Sequence, residues 1–275
     1  SAASDVYKRQ IRNVYDKLRN DTVMVFNGDV LSGMDLEGIL TTHHDKDADV
    51  TMHLLNVADP RAFGCVPTDS NGRVTAFLEK TEDPPTNQIN AGCYVFKRSV
   101  IESIPADRVV SVERETFPGL LAEGRLVVGH VDNSYWRDMG RPDDFTRGSS
   151  DLVRGIAPSP LIEGKTGESL VDPSAGIAGG VLLLSGTAVG RGSEVGAGSR
   201  LEGTVVFDGV RIEPGAIIHN SIIASGAHIG ANAVIENCVI GEGAHIGARC
   251  ELLDGMRVFP GVSIPDAGVR FSSDA

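Results

Sequence analysis

The chain has 275 residues, which at about 150 residues per domain allows two domains, each large enough to bury its own core. Its 25 Lys and Arg against 37 Asp and Glu give a net charge of −12, which excludes broad contact with nucleic acid or anionic membrane and requires any phosphate to be met by a few local cations. No apolar run approaches the ~18 residues of a membrane span. Four cysteines (Cys65, Cys93, Cys238, Cys250) without a Cys-x-x-Cys pair argue against a disulfide or zinc framework, so a cytoplasmic protein is expected.

Residues 1–10 show no initiator Met and no signal-peptide pattern, and they are expected to form a non-native or disordered end. Ile11, Val14, Tyr15 and Leu18 then recur at helical spacing opposite Arg12, Asp16, Lys17 and Arg19, predicting one amphipathic helix. Val23 to Phe26 has no polar alternation, as expected of a strand covered on both faces in a sheet whose earlier strands precede this chain. Asp35 is placed to cap a helix carrying Leu36, Ile39, Leu40 and His43, and Val50 to Val57 reads as a strand. Asn71-Gly72 between Gly64-Cys65-Val66 and Val74 to Glu79 predicts a hairpin whose two turn residues both tolerate positive φ. A strand over Ile89 to Phe96, a helix over Val112 to Glu123, a strand over Arg125 to Val131 and a helix opened by Pro142 complete an α/β domain over 11–154.

Residues 155–170, with Pro158, Pro160 and three glycines, read as a linker. A different order follows over 171–270, before a short tail at 271–275. A shift of 17 aligns Val189, Val206, Ile223 and Ile240; Val195, Ile212, Ile229 and Ile246; Leu201, Ile218, Ile235 and Leu252; and a glycine column at Gly192, Gly209, Gly226 and Gly243. Three short strands separated by tight corners would carry the chain once round a narrow prism, each placing one aliphatic side chain inside, and glycine would supply a corner's positive φ or a close approach. The pattern resembles the left-handed parallel β-helix of hexapeptide-repeat proteins, and the hand is taken from that resemblance.

Several residues could carry chemistry. Asp29, in Phe26-Asn27-Gly28-Asp29, and Asp138, in Tyr135-Trp136-Arg137-Asp138-Met139-Gly140, each follow a strand, where ligands of open α/β sheets gather. Two such acids suit one hard cation, although Asn-Gly-Asp is also a common turn. Glu79-Lys80 reads equally as a surface ion pair. Asn90-Ala91-Gly92 opens a strand where Gly92 admits a close approach, and Gly64 has the same potential. His228 and His245 stack one repeat apart; a histidine base on a hexapeptide β-helix would suit an acyltransferase, and a pair of solvent-facing corner residues is the simpler account.

In this order, Phe26-Asn27-Gly28-Asp29, Phe63-Gly64-Cys65-Val66, Val74 to Lys80, Ile89 to Phe96 and Tyr135 to Gly140 resemble the nucleotide-sugar pyrophosphorylases. The likeness runs from Ile11 onward and is nearest to members that make GDP-mannose from GTP and mannose 1-phosphate. It implies a partial Rossmann-like nucleotidyltransferase domain followed by the left-handed β-helix, and a homo-oligomer in which the β-helix takes part. It further implies that Asp29 and Asp138 hold Mg²⁺, that Glu79 binds sugar hydroxyls and Lys80 the sugar phosphate, and that Gly64 and Asn90 contact the sugar. Lys80 and the two acids would be the catalytic set. Thr81 replaces the family's proline after Glu-Lys, and the family's Gly-Gly-x-Gly-Thr-Arg loop belongs upstream of Ile11. This chain by itself is therefore expected to transfer poorly. A sister activity with UTP or dTTP and glucose 1-phosphate, and a non-catalytic regulatory homologue, are the alternatives.

Overall fold

The computed structural model describes residues 10–78, 80, 82–106, 108 and 110–270. The expected end at 1–10, save Gln10, and the tail at 271–275 lie outside them. The chain divides into two compact units, Ser1–Trp136 and Arg137–Ala275. No helix among the described residues is long and apolar enough to cross a membrane.

The first unit contains strands β1 (Thr22–Phe26), β2 (Val30–Ser32), β3 (Val50–Asn56), β4 (Gln88–Lys97) and β5 (Val127–Val131). Four form a Rossmann-like mixed sheet in the order β1-β4-β3-β5, with β4 antiparallel to both neighbours and β3 parallel to β5. Alternate side chains of β4 serve opposite faces. Tyr94 and Phe96 join Val50, Met52, Leu54, Val100, Ile101, Phe117 and Leu120, while Cys93 and Val95 pack with Met34 and Ile39. Helices over Arg98–Ser103 and Phe117–Ala122 supply the first cluster, and the helix Leu36–Asp45 the second. Asp35 caps that helix as expected, its carboxylate accepting from the N–H groups of Glu37 and Gly38.

Three local expectations are corrected. The amphipathic helix at Ile11–Leu18 is two short pieces, an α-turn at Gln10–Asn13 and a 3₁₀ turn at Tyr15–Lys17, with Val14 exposed between them. Asn13, Val14, Tyr15 and Asp16 are all indifferent helix formers, and the Tyr15 ring instead meets the guanidinium groups of Arg12 and Arg98 at 4.5 and 4.7 Å. β1 is an edge strand among the described residues, half-buried rather than covered on both faces, and Phe26 at its end is 53% exposed. The hairpin forms through single bridges, Thr68 to Val74 and Cys65 to Leu78, and only Gly72 takes positive φ. The carboxylate of Asp69 accepts from the N–H groups of Asn71 and Arg73, which closes the turn without a second left-handed residue.

The second unit is built on a parallel β-solenoid of about six turns over residues 169–264. Strands Ser169–Val171, Thr187–Val189, Val205–Val206, Ile222–Ile223, Val239–Ile240 and Arg257–Val258 stack in one sheet, and two further sheets of six and five strands close the prism. Ile212 pairs with Ile229 and Ile229 with Ile246, the 17-residue register of the sequence, whereas Ile240 pairs with Val258 in a coil one residue longer. All twelve aliphatic positions are at most 3% exposed. Gly192, Gly209, Gly226 and Gly243 have φ of 61–66° with open space where a Cβ would stand, so positive φ is what excludes a side chain there and close approach is not. Some other corners reach the same conformation without glycine, at Asn220, Asn232, Asn237, Arg249 and Asp254.

An unanticipated column also runs through the prism. Thr187, Thr204, Ser221 and Cys238 direct hydroxyl or thiol groups at strand carbonyls, and Thr187 and Ser221 accept from the N–H groups of Thr204 and Cys238 in the next coil. Cys238 stands where its predecessors are hydroxyl residues, and burial pushes its thiol up from the usual range.

Candidate active site

Four of the five motifs meet in the first unit. Opposite Met52 and Leu54 of β3, strand β4 advances from Tyr94 to Asn90, and this bulge bends the chain at Asn90-Ala91-Gly92. Gly92 takes φ of 81°, and a Cβ there would stand 2.8 Å from the Asn27 amide nitrogen; the Asn27 N–H in turn donates to the Gly92 carbonyl at 2.7 Å. The close approach anticipated at Gly92 is therefore to the motif that carries Asp29. The Trp136 indole donates to the Ala91 carbonyl at 2.9 Å, and its ring lies edge-on to Phe63 at 5.8 Å. Those two contacts tie Tyr135-Trp136 and Phe63-Gly64 to the same bend.

Asn90 is held at both polar atoms of its side chain. Its amide nitrogen donates to the Tyr94 hydroxyl at 2.6 Å and to Glu113 Oε1 at 3.1 Å, and its carbonyl accepts from the Gly92 N–H. Burial, reinforced by the charge of Glu113, pushes the Tyr94 hydroxyl well above its usual range, so it stays protonated. Glu113 lies on a π-helical turn, Val112–Thr116, that precedes the helix Phe117–Ala122. Neither Tyr94 nor Glu113 was singled out from sequence. Tyr94 shares the face parity of Asn90 and Gly92 and could have been; Glu113 reaches Asn90 only through the tertiary fold.

The remaining candidates are placed as follows. Asp29 is exposed in the turn between β1 and β2, and Lys80 is exposed after the hairpin. Glu79 and Thr81 lie outside the described residues. A Cβ at Gly64 would stand 2.8 Å from the Leu78 carbonyl, so its lack of a side chain serves the hairpin whatever else it contacts. In the second unit, Asp138 ends the strand Trp136–Asp138 and accepts from the Gly140 N–H at 3.0 Å. Asp29 and Asp138 are each exposed carboxylates, and each by its own chemistry is a hard oxygen donor of the kind that suits Mg²⁺. Among the described residues no three His, Cys, Asp or Glu groups gather as a self-sufficient metal cage.

The other reactive groups have structural partners. Cys65 and Cys93 are buried, and burial pushes the Cys93 thiol up to about 12. In the solenoid, His228 bonds to Glu213 at 3.2 Å and meets His245 edge-on at 4.5 Å. A cavity of about 250 Å³ lined by Asp21, His44, Lys97 and Arg98 lies at the other end of the β1–β4 pair from the Asn90 bend.

Comparison with known proteins places the chain in a family. The family described as nucleotidyl transferase matches residues 8–155, and that described as the GMPPB C-terminal domain matches 165–268. A mannose-1-phosphate guanylyltransferase of Mycobacterium tuberculosis is 64% identical over 265 residues, covering 96% of this chain and 74% of that protein. Mannose-1-phosphate guanylyltransferase 1 of Arabidopsis thaliana is 36% identical over 64% of this chain and 50% of its own length. The mannose-1-phosphate guanylyltransferase catalytic subunit beta of Drosophila melanogaster is 30% identical over 58% of this chain and 44% of its own. With the motifs gathered at one bend of the sheet and the solenoid following, these matches show that the chain belongs to the nucleotidyl transferase family, among the mannose-1-phosphate guanylyltransferases.

Proposed function

We propose that this chain belongs to an enzyme that forms GDP-mannose and pyrophosphate from GTP and mannose 1-phosphate. The observation that carries the reading is the bend at Asn90-Ala91-Gly92, which gathers Asn27, Phe63 and Trp136 from three other motifs of a chain 64% identical to a mannose-1-phosphate guanylyltransferase. A phosphate oxygen of mannose 1-phosphate attacks the α-phosphorus of GTP in line; the bond from that phosphorus to the β-phosphate bridging oxygen breaks, and pyrophosphate leaves with the electron pair. No protein nucleophile is needed, so positioning and charge neutralisation supply the rate.

In this reading Asn90 and Gly64 meet the sugar, with Asn90 held in one orientation by Tyr94 and Glu113. Lys80 neutralises the sugar phosphate, and Glu79 binds sugar hydroxyls. Asp29 and Asp138 hold Mg²⁺, which when bound withdraws charge from the phosphate oxygens. The same reading takes the enzyme as a cytoplasmic homo-oligomer, free of membrane and nucleic-acid partners. Exposed Ile177, Leu182 and Phe259 on the solenoid are candidates for its subunit contacts.

The test is turnover of the intact protein with each common nucleoside triphosphate and hexose 1-phosphate. GTP with mannose 1-phosphate is expected to be fastest, and faster turnover of UTP or dTTP with glucose 1-phosphate would overturn the assignment. Asp138→Ala is expected to lower turnover by about two orders of magnitude or more with the melting temperature nearly unchanged.

A further inference from the structure

Resting on the reading of Asp138 as a Mg²⁺ ligand, we infer that Asp144 and Asp151 are positioning residues for it, and that the solenoid sets its geometry through the helix Pro142–Val153. The sequence poses a problem at this point. Arg137 adjoins Asp138, and a guanidinium turned toward that carboxylate would compete with the metal for it and repel a divalent cation.

The second unit resolves this locally. Trp136–Asp138 is a strand, so Arg137 and Asp138 leave it on opposite faces. Arg137 Nη2 donates to Asp151 Oδ2 at 3.1 Å, and its Nη1 lies 3.7 Å from Asp144 Oδ1. Both acids come from one face of the helix Pro142–Val153, two turns apart, and the three side chains are 17–29% exposed. Partial burial makes such charge-assisted contacts directional. Met139, on the other side of Asp138, lies over the same helix: a Cβ at Gly148 would stand 2.5 Å from its sulfur and 3.5 Å from Arg137 Cδ. A glycine inside a helix is unfavourable alone, and here it makes room for both residues that flank the metal ligand. The Gly140 N–H then orients Asp138 Oδ1.

The helix is in turn seated on the solenoid. Ser150 Oγ donates to the Ser185 carbonyl at 2.6 Å, and the Phe145 ring stacks on Phe207 at 6.4 Å with 12° between planes. A continuous path therefore runs from the first coils through the helix to Arg137 and Met139, and so to Asp138.

The test measures Mn²⁺ binding directly, by electron paramagnetic resonance with GTP present, beside the half-saturating Mg²⁺ and the KM for mannose 1-phosphate, all in the intact protein. Asp151→Asn, and independently Phe207→Ala on the solenoid, are expected to weaken Mn²⁺ binding and raise half-saturating Mg²⁺ by about tenfold, an outer-partner effect. The KM for mannose 1-phosphate is expected to move little, and Asp151→Glu to recover most of the metal affinity. Asp138→Asn serves as control and is expected to lose Mn²⁺ binding. If that control binds Mn²⁺ normally, the reading of Asp138 fails and this inference with it. If the control loses binding while Asp151→Asn and Phe207→Ala keep the parent affinity, or lose affinity only in proportion to a general fall in stability and in sugar KM, the positioning role is overturned and the reading of Asp138 stands.

Discussion

Ile229 in the solenoid and Asn90 in the sheet are both held by residues far along the chain, but in different ways. Ile229 lies between Ile212 and Ile246, its counterparts in the neighbouring coils. Asn90 is set by a bulge opposite β3, by Tyr94 on its own strand and by Glu113 on a helical turn, none of which repeats. In a solenoid, a residue's surroundings follow from its place in the repeat, because each coil contacts mainly the coils above and below. In the sheet, Val50 pairs with Val127 and Phe26 with Cys93, and each such contact is a separate consequence of chain topology. A repeat gives stability that can be read from one line of sequence. A site needs the unrepeated kind of contact.

The largest expected effect breaks the repeat. Ile229→Asp places a carboxylate in a position with no solvent exposure, at a cost of about 4–5 kcal/mol. Amide hydrogen exchange is expected to accelerate in the strands of the adjacent coils, around Ile212 and Ile246, and to stay at parent rates in β3 and β4. Acceleration spread equally over both units would show that the repeat does not confine the damage.

The next effect is confined to the sheet. His43 is buried beside Thr51, and burial, followed by the charges of His44 and Lys97, pushes its imidazole from 6.5 down to about 4. The folded state therefore binds fewer protons than the unfolded chain below pH 6.5. The stability contributed by the neutral ring is whole above the unfolded value and falls as pH drops toward the folded one, by up to about 3 kcal/mol. Urea denaturation across that range is expected to show the first unit weakening on the acid side, and His43→Gln to flatten that limb. An unchanged acid slope in the variant would remove His43 as the cause.

The smallest effect tests what the glycine column is for. Gly226 has φ of 66° and no neighbour within reach of a Cβ, so Gly226→Ala is expected to cost about 1 kcal/mol of backbone strain and nothing from collision. A melting curve that reports several times that loss would mean the corner is packed after all.

Much of the architecture was legible from residue spacing. The aliphatic columns and their burial, the cap at Asp35, the strands β3 and β4 and the Pro142 helix all follow from periodicity and end signals that act within a few residues or one repeat. The misreadings occur where a local signal met a tertiary alternative. Ile11, Tyr15 and Leu18 have helical spacing, yet Tyr15 between two arginines and weak helix formers around it divide the segment into separate turns. At Asn71-Gly72 the pair suggests two left-handed residues, but the Asp69 side chain closes the turn with one.

The sequence by itself determined that a three-sided prism of hydrophobic coils follows an α/β domain, because a period of 17 with aliphatic residues at fixed phases has few ways to bury them. It also pointed to Asp29 and Asp138, which follow strands, and the resemblance of its motifs added Gly64, Glu79, Lys80 and Asn90. Only the tertiary structure decided that Asn27 packs against Gly92, that Glu113 and Tyr94 orient Asn90, and that Arg137 meets Asp144 and Asp151. Those choices depend on how strands and helices far apart in the chain come to lie together. Hydrophobic periodicity records which face of an element is buried, but carries no mark of which polar partner will stand opposite once it is.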